Sequence, residues 1–263
     1  MLISRVQGLI LDMDGVLWRD EEPIGDLAAI FGQIMQQKLQ VVLATNNSTK
    51  TVDQYLDKLN RFVVKLERWQ IVTSSLAAAN YLERLYPEGG SVYVVGEAGL
   101  ISALENKGFC PVESRQEDNV LAVLAGLDRN LTYEKLRTAA KYIQDGALFI
   151  GTNTDHTLPT PEGQIPGAGA ILAALQTATK QQPVIIGMPE PEMYRWAIEL
   201  MGISPEETLV IGDRLETDIA GAQALGCGTG LVLSGVTTKE QACQWFPAPD
   251  KLAPDLTTML AEL

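Results

Sequence analysis

The feature that most constrains the fold of this chain is a regular alternation of short apolar runs with amphipathic segments. Residues 6–11 form an apolar run that predicts a buried strand, and residues 24–38 have helical apolar spacing. A second strand is predicted at 41–44, followed by a helix with the apolar face Val52, Tyr55, Leu56 and Leu59. This strand–helix–strand–helix order is typical of an α/β domain with a parallel sheet and helices on both faces.

The alternation continues to the end of the chain, beyond a predicted linker at 87–90. Ser204-Pro205-Glu206-Glu207 predicts a capped helical turn, and Gly202 and Gly226 are suited to helix ends. Further strands are predicted at 71–72, 92–95, 120–125, 148–150, 184–186, 209–211 and 231–233, and further helices at 75–85, about 97–106 and 132–144.

Composition limits the partners. The formal net charge of -13, from 33 acidic and 20 basic residues, disfavours nucleic acid as a partner. No apolar run approaches the roughly 20 residues that cross a bilayer, and none has the form of a signal peptide, so we expect a cytoplasmic protein without a membrane partner. The widely spaced Cys110, Cys227 and Cys243 indicate neither a disulfide framework nor a zinc site.

Four polar segments each follow a predicted strand, where ligands bind in open parallel sheets. Along a strand, Asp12 and Asp14 would project to the same side. The segments are Asp12-Met13-Asp14-Gly15, Thr45-Asn46-Asn47-Ser48, Gly187-Met188-Pro189 and Gly212-Asp213-Arg214-Leu215-Glu216-Thr217-Asp218.

Each segment alone is also typical of an ordinary turn or helix start. Together, however, Asp12, Asp14, Asp213 and Asp218 would repel one another at one sheet edge unless a cation lay between them. Mg²⁺, which binds carboxylate, carbonyl and water oxygens, explains such a cluster.

In combination, the motifs Asp-Met-Asp-Gly-Val-Leu-Trp at 12–18, Thr-Asn-Asn-Ser at 45–48 and Gly-Asp-Arg-Leu-Glu-Thr-Asp at 212–218 closely resemble the haloacid dehalogenase (HAD) superfamily. The resemblance is to its NagD-like, para-nitrophenyl-phosphatase subgroup (HAD type IIA hydrolases). It spans nearly the whole chain, including 151–155 and 166–169. It implies a Rossmann-like parallel-sheet core with an inserted α/β cap domain.

The resemblance also implies roles for single residues. Asp12 would be the nucleophile that forms an aspartyl-phosphate, and Asp14 would protonate the leaving oxygen and then activate water. Thr45 and Asn46 would bind the phosphoryl oxygens.

The implied cofactor is Mg²⁺, since phosphoryl transfer depends mainly on positioning and charge neutralisation. The ion would lie between Asp12, the Asp14 carbonyl and Asp213, with Asp218 in support. The implied activity is hydrolysis of a small phosphorylated metabolite, and a homodimer is the assumed assembly.

Spacing predicts where the second domain lies. Roughly 140 residues separate Asn46 from Gly187, about 100 more than a crossover connection needs. We therefore predict a core domain at 1–87 and 179–263 and a cap domain at 88–178. In the cap, Asn153 and Asp155 are candidate substrate residues, although both are common in turns. His156 is expected to face solvent.

One residue departs from the family pattern, because Met188 stands where family members carry Lys. Methionine brings no positive charge to offset the phosphate. Lys180 and Lys50 are alternative lysines, and the sequence alone favours neither. We predict slow catalysis, with a catalytically weak or inactive phosphate-metabolite-binding protein as the alternative. A phosphomutase is less favoured, because nothing bulky is inserted after Asp14.

Overall fold

The computed structural model describes residues 6–113, 119–160 and 163–263. The strands are β1 (Gly8–Asp12), β2 (Trp18–Arg19), β3 (Glu22–Pro23), β4 (Gln40–Thr45), β5 (Ile71–Thr73), β6 (Gly90–Val95), β7 (Phe109–Val112), β8 (Ala122–Ala125), β9 (Leu148–Gly151), β10 (Thr157–Thr160), β11 (Gly163–Pro166), β12 (Val184–Ile185), β13 (Thr208–Gly212), β14 (Gly228–Val232) and β15 (Lys251–Ala253). The α-helices are α1 (Leu27–Gln36), α2 (Val52–Arg61), α3 (Ser74–Leu85), α4 (Ala98–Glu105), α5 (Tyr133–Gln144), α6 (Ala168–Thr179), α7 (Pro191–Met201), α8 (Ala220–Leu225), α9 (Lys239–Gln244) and α10 (Leu256–Ala261).

The larger sheet has the strand order β15-β14-β13-β1-β4-β5. β1 pairs in parallel with β13 and β4, so that Leu11 lies opposite both Ile211 and Leu43. All three side chains are fully buried. Continuous apolar strands of this kind are typical of a parallel sheet covered on both faces. The carboxyl ends of β1, β4 and β13 therefore meet at one edge of the sheet.

The second sheet has the order β12-β9-β8-β6-β7, and its four strand pairs are parallel. Its core is formed by side chains of the strands and of α5 and α6, including Val123, Phe149 and Leu172. The predicted domain boundary at 178 assigned the strand at 184–186 to the first domain. In the structure this strand, β12, pairs instead with β9.

The chain forms two compact units. The first consists of Met1–Thr45, Asp53–Val72 and Met188–Leu263, and the second of Asn46–Val52 and Thr73–Gly187. The second unit includes α3, which packs against α4. The division into a core at 1–87 and 179–263 and a cap at 88–178 stays a prediction.

The parallel-sheet α/β class is confirmed, and most element boundaries lie close to those predicted. Gly202 and Gly226 end helices with φ of 65° and 76°. The predicted helix at 24–38 is shorter, because Asp26 caps α1 by accepting a hydrogen bond from the Ala29 N–H at 3.0 Å. Among the described helices, none combines the length and hydrophobicity that crossing a bilayer requires.

Candidate active site

The chain turns sharply where β1 ends at Asp12. The carbonyl oxygen of Met13 accepts a hydrogen bond from the Leu17 N–H at 2.8 Å. Gly15 has a φ of +88°, and a Cβ there would lie 2.5 Å from Asp213 Oδ2. Strand alternation does not place Asp14, because the strand ends at Asp12 and Asp14 lies in the turn, where it is exposed. The charge of Asp14 nevertheless acts on Asp12, so the two carboxylates are close to each other.

Three carboxylates meet at the edge of the larger sheet. One ligand oxygen each of Asp12, Asp213 and Asp218 lies within 4.8 Å of the others. Asp213 follows β13 directly, and Asp218 is brought back toward it by the π-helical turn Leu215–Ile219. Both are almost fully buried, with exposures of 1% and 2%. The structure thus brings together two sequence motifs about 200 residues apart, as the order of parallel strands predicts.

Asp218 fixes the backbone of this cluster. Its Oδ2 accepts hydrogen bonds from the N–H groups of Asp213 and Arg214, both at 3.0 Å, and its Oδ1 accepts one from the Thr217 hydroxyl at 3.1 Å. Asp213 Oδ2 accepts a hydrogen bond from the Val236 N–H at 2.6 Å. Within the described residues, Asp213 Oδ1 is buried and has no hydrogen-bond partner.

The cluster is electrostatically strained in the absence of a cation. Burial, reinforced by the charges of Asp218, Asp213 and Asp14, raises the pKa of Asp12 well above its usual value. Burial raises the pKa of Asp213 as well. Burial and the charge of Asp213 raise the pKa of Asp218 to about 7. Each carboxylate therefore resists ionisation, which a bound cation would reverse.

The donor set fits a hard divalent cation. It offers carboxylate oxygens alone, and the unpartnered Oδ1 of Asp213 is a buried acceptor that a metal ion would satisfy. Ions such as Mg²⁺ prefer oxygen ligands of this kind and keep several waters. Asp12 and Asp213 are suited to contact an ion directly, while the hydrogen bonds of Asp218 suit it to a supporting position.

Thr45, the last residue of β4, lies in the same unit and is buried. Burial raises the pKa of the Tyr55 phenol, and the charges of Asp14 and Asp12 add to this rise, while a side-chain hydrogen bond with Thr45 opposes it. These four residues are therefore close enough to interact. Tyr55 was noted in the sequence only for its apolar helix face, and no motif indicated its place beside the carboxylates.

The second unit contains the other predicted binding residues. The side-chain amide of Asn153 donates a hydrogen bond to the Asn46 carbonyl oxygen at 2.7 Å, and its Oδ1 accepts one from the Asp155 N–H at 3.0 Å. The Asn46 amide lies 3.4 Å from Asp155 Oδ1. Asn153 is buried, with 4% exposure, and its two hydrogen bonds hold the loop together. Asp155 is partly exposed.

A small cavity of about 30 Å³ adjoins this loop. Its surface is mainly apolar, although amide, hydroxyl and one carboxylate side chain belong to the lining residues. The lining residues are Asn46, Asn47, Ser48, Thr49, Leu127, Asn153, Asp155, Thr157, Leu158, Gly167 and Ala168. None of these lining residues is aromatic or cationic.

The segment 45–48 does not form a helix start, since α2 begins only at Val52. Asn47 Oδ1 accepts hydrogen bonds from the N–H and the hydroxyl of Thr49 at 2.9 and 2.7 Å, which closes a turn. This turn accounts for the polar composition of the segment.

Met188, the residue in the expected lysine position, is buried at 3% exposure. It belongs to the first unit, whereas Lys50 and Lys180 belong to the second. His156 is exposed, as predicted. In the first unit, Arg214 lies near enough to lower the pKa of Asp213 and Asp218 by its charge.

Comparison with known proteins gives a consistent result. A family model described as haloacid dehalogenase-like hydrolase matches residues 9–110, and one described as HAD-hydrolase-like matches residues 167–259. The chain is 34% identical over 261 residues to an acid sugar phosphatase of Staphylococcus saprophyticus, with 99% of each chain covered.

Solved structures agree with the sequence relatives. A p-nitrophenyl phosphatase from Archaeoglobus fulgidus matches with a TM-score of 0.92 and 29% identity, covering 98% of this chain and 100% of that one. NagD from Escherichia coli K-12 matches with a TM-score of 0.86 and 31% identity, covering 96% and 97%. The glycerol phosphate phosphatase Rv1692 from Mycobacterium tuberculosis, in complex with magnesium, matches with a TM-score of 0.88 and 32% identity, covering 98% of this chain and 77% of that one.

These relatives share the fold and extend over nearly all of the chain, which confirms the predicted family and its NagD-like subgroup. Three of them are named as phosphatases, an acid sugar phosphatase, a p-nitrophenyl phosphatase and a glycerol phosphate phosphatase, so the general activity follows as well. The chain belongs to the haloacid dehalogenase-like hydrolases and is a phosphatase of that family.

Proposed function

We propose that this protein is a Mg²⁺-dependent phosphatase that hydrolyses small phosphate monoesters through an aspartyl-phosphate on Asp12. The observation that supports it most is the cluster of the half-buried Asp12 with the buried Asp213 and Asp218, whose ligand atoms lie within 4.8 Å of one another. The unpartnered Oδ1 of Asp213 is the second support. Carboxylates at this spacing, two of them buried, repel one another and destabilise the fold unless a cation lies between them.

Asp12 and Asp14 have different roles in the proposed reaction. A carboxylate oxygen of Asp12 attacks phosphorus while the ester P–O bond breaks, and Asp14 gives its proton to the leaving oxygen. Asp14 then takes a proton from water as that water attacks the aspartyl-phosphate, which releases inorganic phosphate and restores Asp12. The exposure of Asp14 suits a group that exchanges protons with both the ester and water.

The remaining residues of the site are proposed to bind Mg²⁺ and the phosphoryl group. Asp12, the Asp14 carbonyl and Asp213 would hold Mg²⁺. The bound ion would neutralise the charge of the phosphoryl oxygens. Asp218 supports the backbone of Asp213 through its hydrogen bond. Thr45 and Asn46 are proposed to donate hydrogen bonds to the phosphoryl oxygens.

The proposed substrate is a small phosphorylated polyol. The lining residues of the cavity beside Asn153 and Asp155 include amide and hydroxyl side chains that can bind hydroxyl groups, and none of them is aromatic or cationic. An acid sugar phosphatase and a glycerol phosphate phosphatase are among the relatives, and sugar and glycerol phosphates are small phosphorylated polyols. A homodimer and a cytoplasmic location stay predictions.

Met188 is the reason to propose slow turnover. A buried methionine supplies no charge to offset Asp12 and an incoming phosphate, and losing one such contact typically costs on the order of 10²-fold in rate. This residue also favours the second candidate, a protein that binds phosphorylated metabolites with little turnover.

Phosphate release from sugar phosphates, glycerol phosphate and p-nitrophenyl phosphate, with Mg²⁺ and with EDTA, tests the proposal. We expect Mg²⁺-dependent release that Asp12→Asn lowers on the order of 10³-fold or more. The control is Asp57→Asn, which removes an exposed carboxylate from α2 of the same unit. Mass spectrometry of acid-quenched protein should find phosphate on Asp12. Undiminished activity of Asp12→Asn would refute the mechanism, and binding without release would favour the second candidate.

A further inference from the structure

Asp14 is exposed, yet a buried side chain holds its carboxylate. The indole Nε1–H of Trp18 donates a hydrogen bond to Asp14 Oδ1 at 2.9 Å, and Trp18 itself is 1% exposed. The Gly15 N–H also donates to the Trp18 carbonyl oxygen at 2.8 Å, which closes the turn between them. One oxygen of Asp14 is therefore fixed from inside the protein.

The indole ring is in turn fixed by a buried cation. Lys58 Nζ lies 4.3 Å from the centroid of the Trp18 ring, and the lysine side chain is 4% exposed. The ammonium also donates a hydrogen bond to the Asp20 carbonyl oxygen and pairs with Glu21 at 3.6 Å. The ring of Phe62 lies 6.3 Å away at 31°. A cation over an indole is attracted to the ring face and polarises the N–H toward its acceptor.

An ordinary core tryptophan would also satisfy its N–H, so the choice of acceptor is what matters. This indole donates to the carboxylate that the proposed function uses for proton transfer. The hydrogen bond from the indole engages Oδ1 of Asp14 and does not engage Oδ2. Proton transfer requires the acid to lie within hydrogen-bond reach of the leaving oxygen, and small displacements of positioned groups cost large factors in rate.

We propose that Trp18 is a positioning residue that orients the Asp14 carboxyl group toward the leaving oxygen, and that Lys58 holds Trp18 in place. The inference rests on the proposed function. In the step concerned, the ester P–O bond breaks, its electron pair stays on the leaving oxygen, and the proton of Asp14 bonds to that oxygen. Trp18 keeps its N–H throughout.

This role predicts a dependence on the leaving group. An alkoxide is a poor leaving group and needs the proton of Asp14, whereas p-nitrophenolate is stable enough to leave without it. The value of kcat/KM reports the steps up to the departure of the leaving group. Loss of the indole N–H should therefore lower kcat/KM for an alkyl phosphate selectively. The later hydrolysis of the aspartyl-phosphate is common to both substrates.

The experiment measures kcat/KM for glycerol phosphate and for p-nitrophenyl phosphate, with Mg²⁺, in wild type and two variants. Trp18→Phe removes the N–H. Trp18→benzothienylalanine replaces the N–H by sulfur in a ring of nearly the same shape, and it decides the outcome if Trp18→Phe does not fold. The matched control is Trp245→Phe, which removes an indole whose N–H lies 3.4 Å from Gln223 Oε1 in the same unit.

We expect kcat/KM for glycerol phosphate to fall roughly tenfold or more, kcat/KM for p-nitrophenyl phosphate to fall no more than about twofold, and the control to match wild type on both. Equal losses on both substrates, or no loss, would overturn the inference and leave the proposed function standing. A wild type that releases phosphate from neither substrate would overturn both.

Discussion

The backbone N–H of Asp213 donates a hydrogen bond to Asp218 Oδ2 at 3.0 Å, so one buried carboxylate holds the peptide that carries another. The Arg214 N–H donates to the same oxygen at the same distance. Asp218 therefore has two opposite effects. It orders the loop that presents Asp213, and its charge repels the two carboxylates beside it.

Two substitutions separate these effects. Asp218→Asn keeps an oxygen acceptor for both N–H groups but removes the charge, whereas Asp218→Ala removes the acceptor of the buried Asp213 N–H and of the partly buried Arg214 N–H. We expect Asp218→Ala to have a free energy of unfolding about 2 kcal/mol or more below that of Asp218→Asn, because both variants lack the charge and only asparagine keeps the acceptor. Urea unfolding of the metal-free proteins measures the difference.

Both substitutions should also weaken Mg²⁺ binding, by roughly 10- to 100-fold, because supporting partners of a ligand tune its affinity. Asp250→Asn is the control, since Asp250 Oδ2 likewise accepts hydrogen bonds from the N–H and the hydroxyl of Thr229, both at 2.9 Å, but lies outside the acidic cluster. Equal stability of Asp218→Ala and Asp218→Asn would show that the hydrogen bonds do not hold the loop.

The raised pKa of Asp218, about 7, predicts how stability depends on pH. An unfolded aspartate loses its proton near pH 4, whereas the folded group keeps it to higher pH. Between these values the unfolded state binds fewer protons, so the free energy of unfolding of the metal-free protein falls as pH rises from about 4 to 7. Asp12 and Asp213, whose pKa values are also raised, act in the same direction.

Mg²⁺ should offset this loss, so the increase in Tm caused by saturating Mg²⁺ should be larger at pH 8 than at pH 5. Thermal unfolding with Mg²⁺ and with EDTA at both pH values measures it. In the metal-free state at pH 8, Asp213→Asn should be more stable than wild type by on the order of 1 kcal/mol, because a repelling charge is gone. The same variant should lose the Mg²⁺ response. A shift in Tm equal at both pH values would contradict the prediction.

The sequence was informative wherever one element was long and apolar. The runs around Ile10, Val42 and Val210 predicted three neighbouring strands of the larger sheet, and the polar residues after them predicted the edge at which the carboxylates cluster. The hairpins β2–β3 and β10–β11 were not predicted, because their strands have two and four residues and lack a longer alternation. Short strands are stabilised by their tertiary surroundings more than by their own pattern.

The site was predictable in part. Asp12 and Asp213 follow directly from strand ends, so topology alone brings them together. The contacts of Trp18 with Lys58 depend on how the turn after Asp12 meets α2, some 40 residues later, and no spacing rule predicts such a contact. Trp18 was visible in the motif, but its hydrogen bond to Asp14 depends on a turn that strand alternation did not predict.

The three cysteines should react very differently. Cys227 is 6% exposed, and burial, aided by the charge of Glu206, raises the pKa of its thiol to about 12. Cys110 and Cys243 are exposed. Because the thiolate is the reactive form, we expect iodoacetamide at pH 8 to label Cys110 and Cys243 in the native protein and Cys227 only after unfolding. Peptide mass spectrometry locates the label, and native labelling of Cys227 at a similar rate would contradict the described burial.

Position 188 has a methionine where the family pattern has a positively charged lysine. Under the proposed function, Met188→Lys should raise kcat for p-nitrophenyl phosphate roughly tenfold or more, because an ammonium would offset the charges of Asp12 and the phosphoryl group. The control is Met35→Lys, which adds the same charge at a side chain that is 77% exposed in the same unit. Because a lysine buried without a partner is costly, inorganic phosphate should raise the Tm of Met188→Lys more than that of wild type. An unchanged or lower kcat, together with an unchanged response to phosphate, would mean that position 188 does not face the phosphoryl group and that Met188 does not limit turnover.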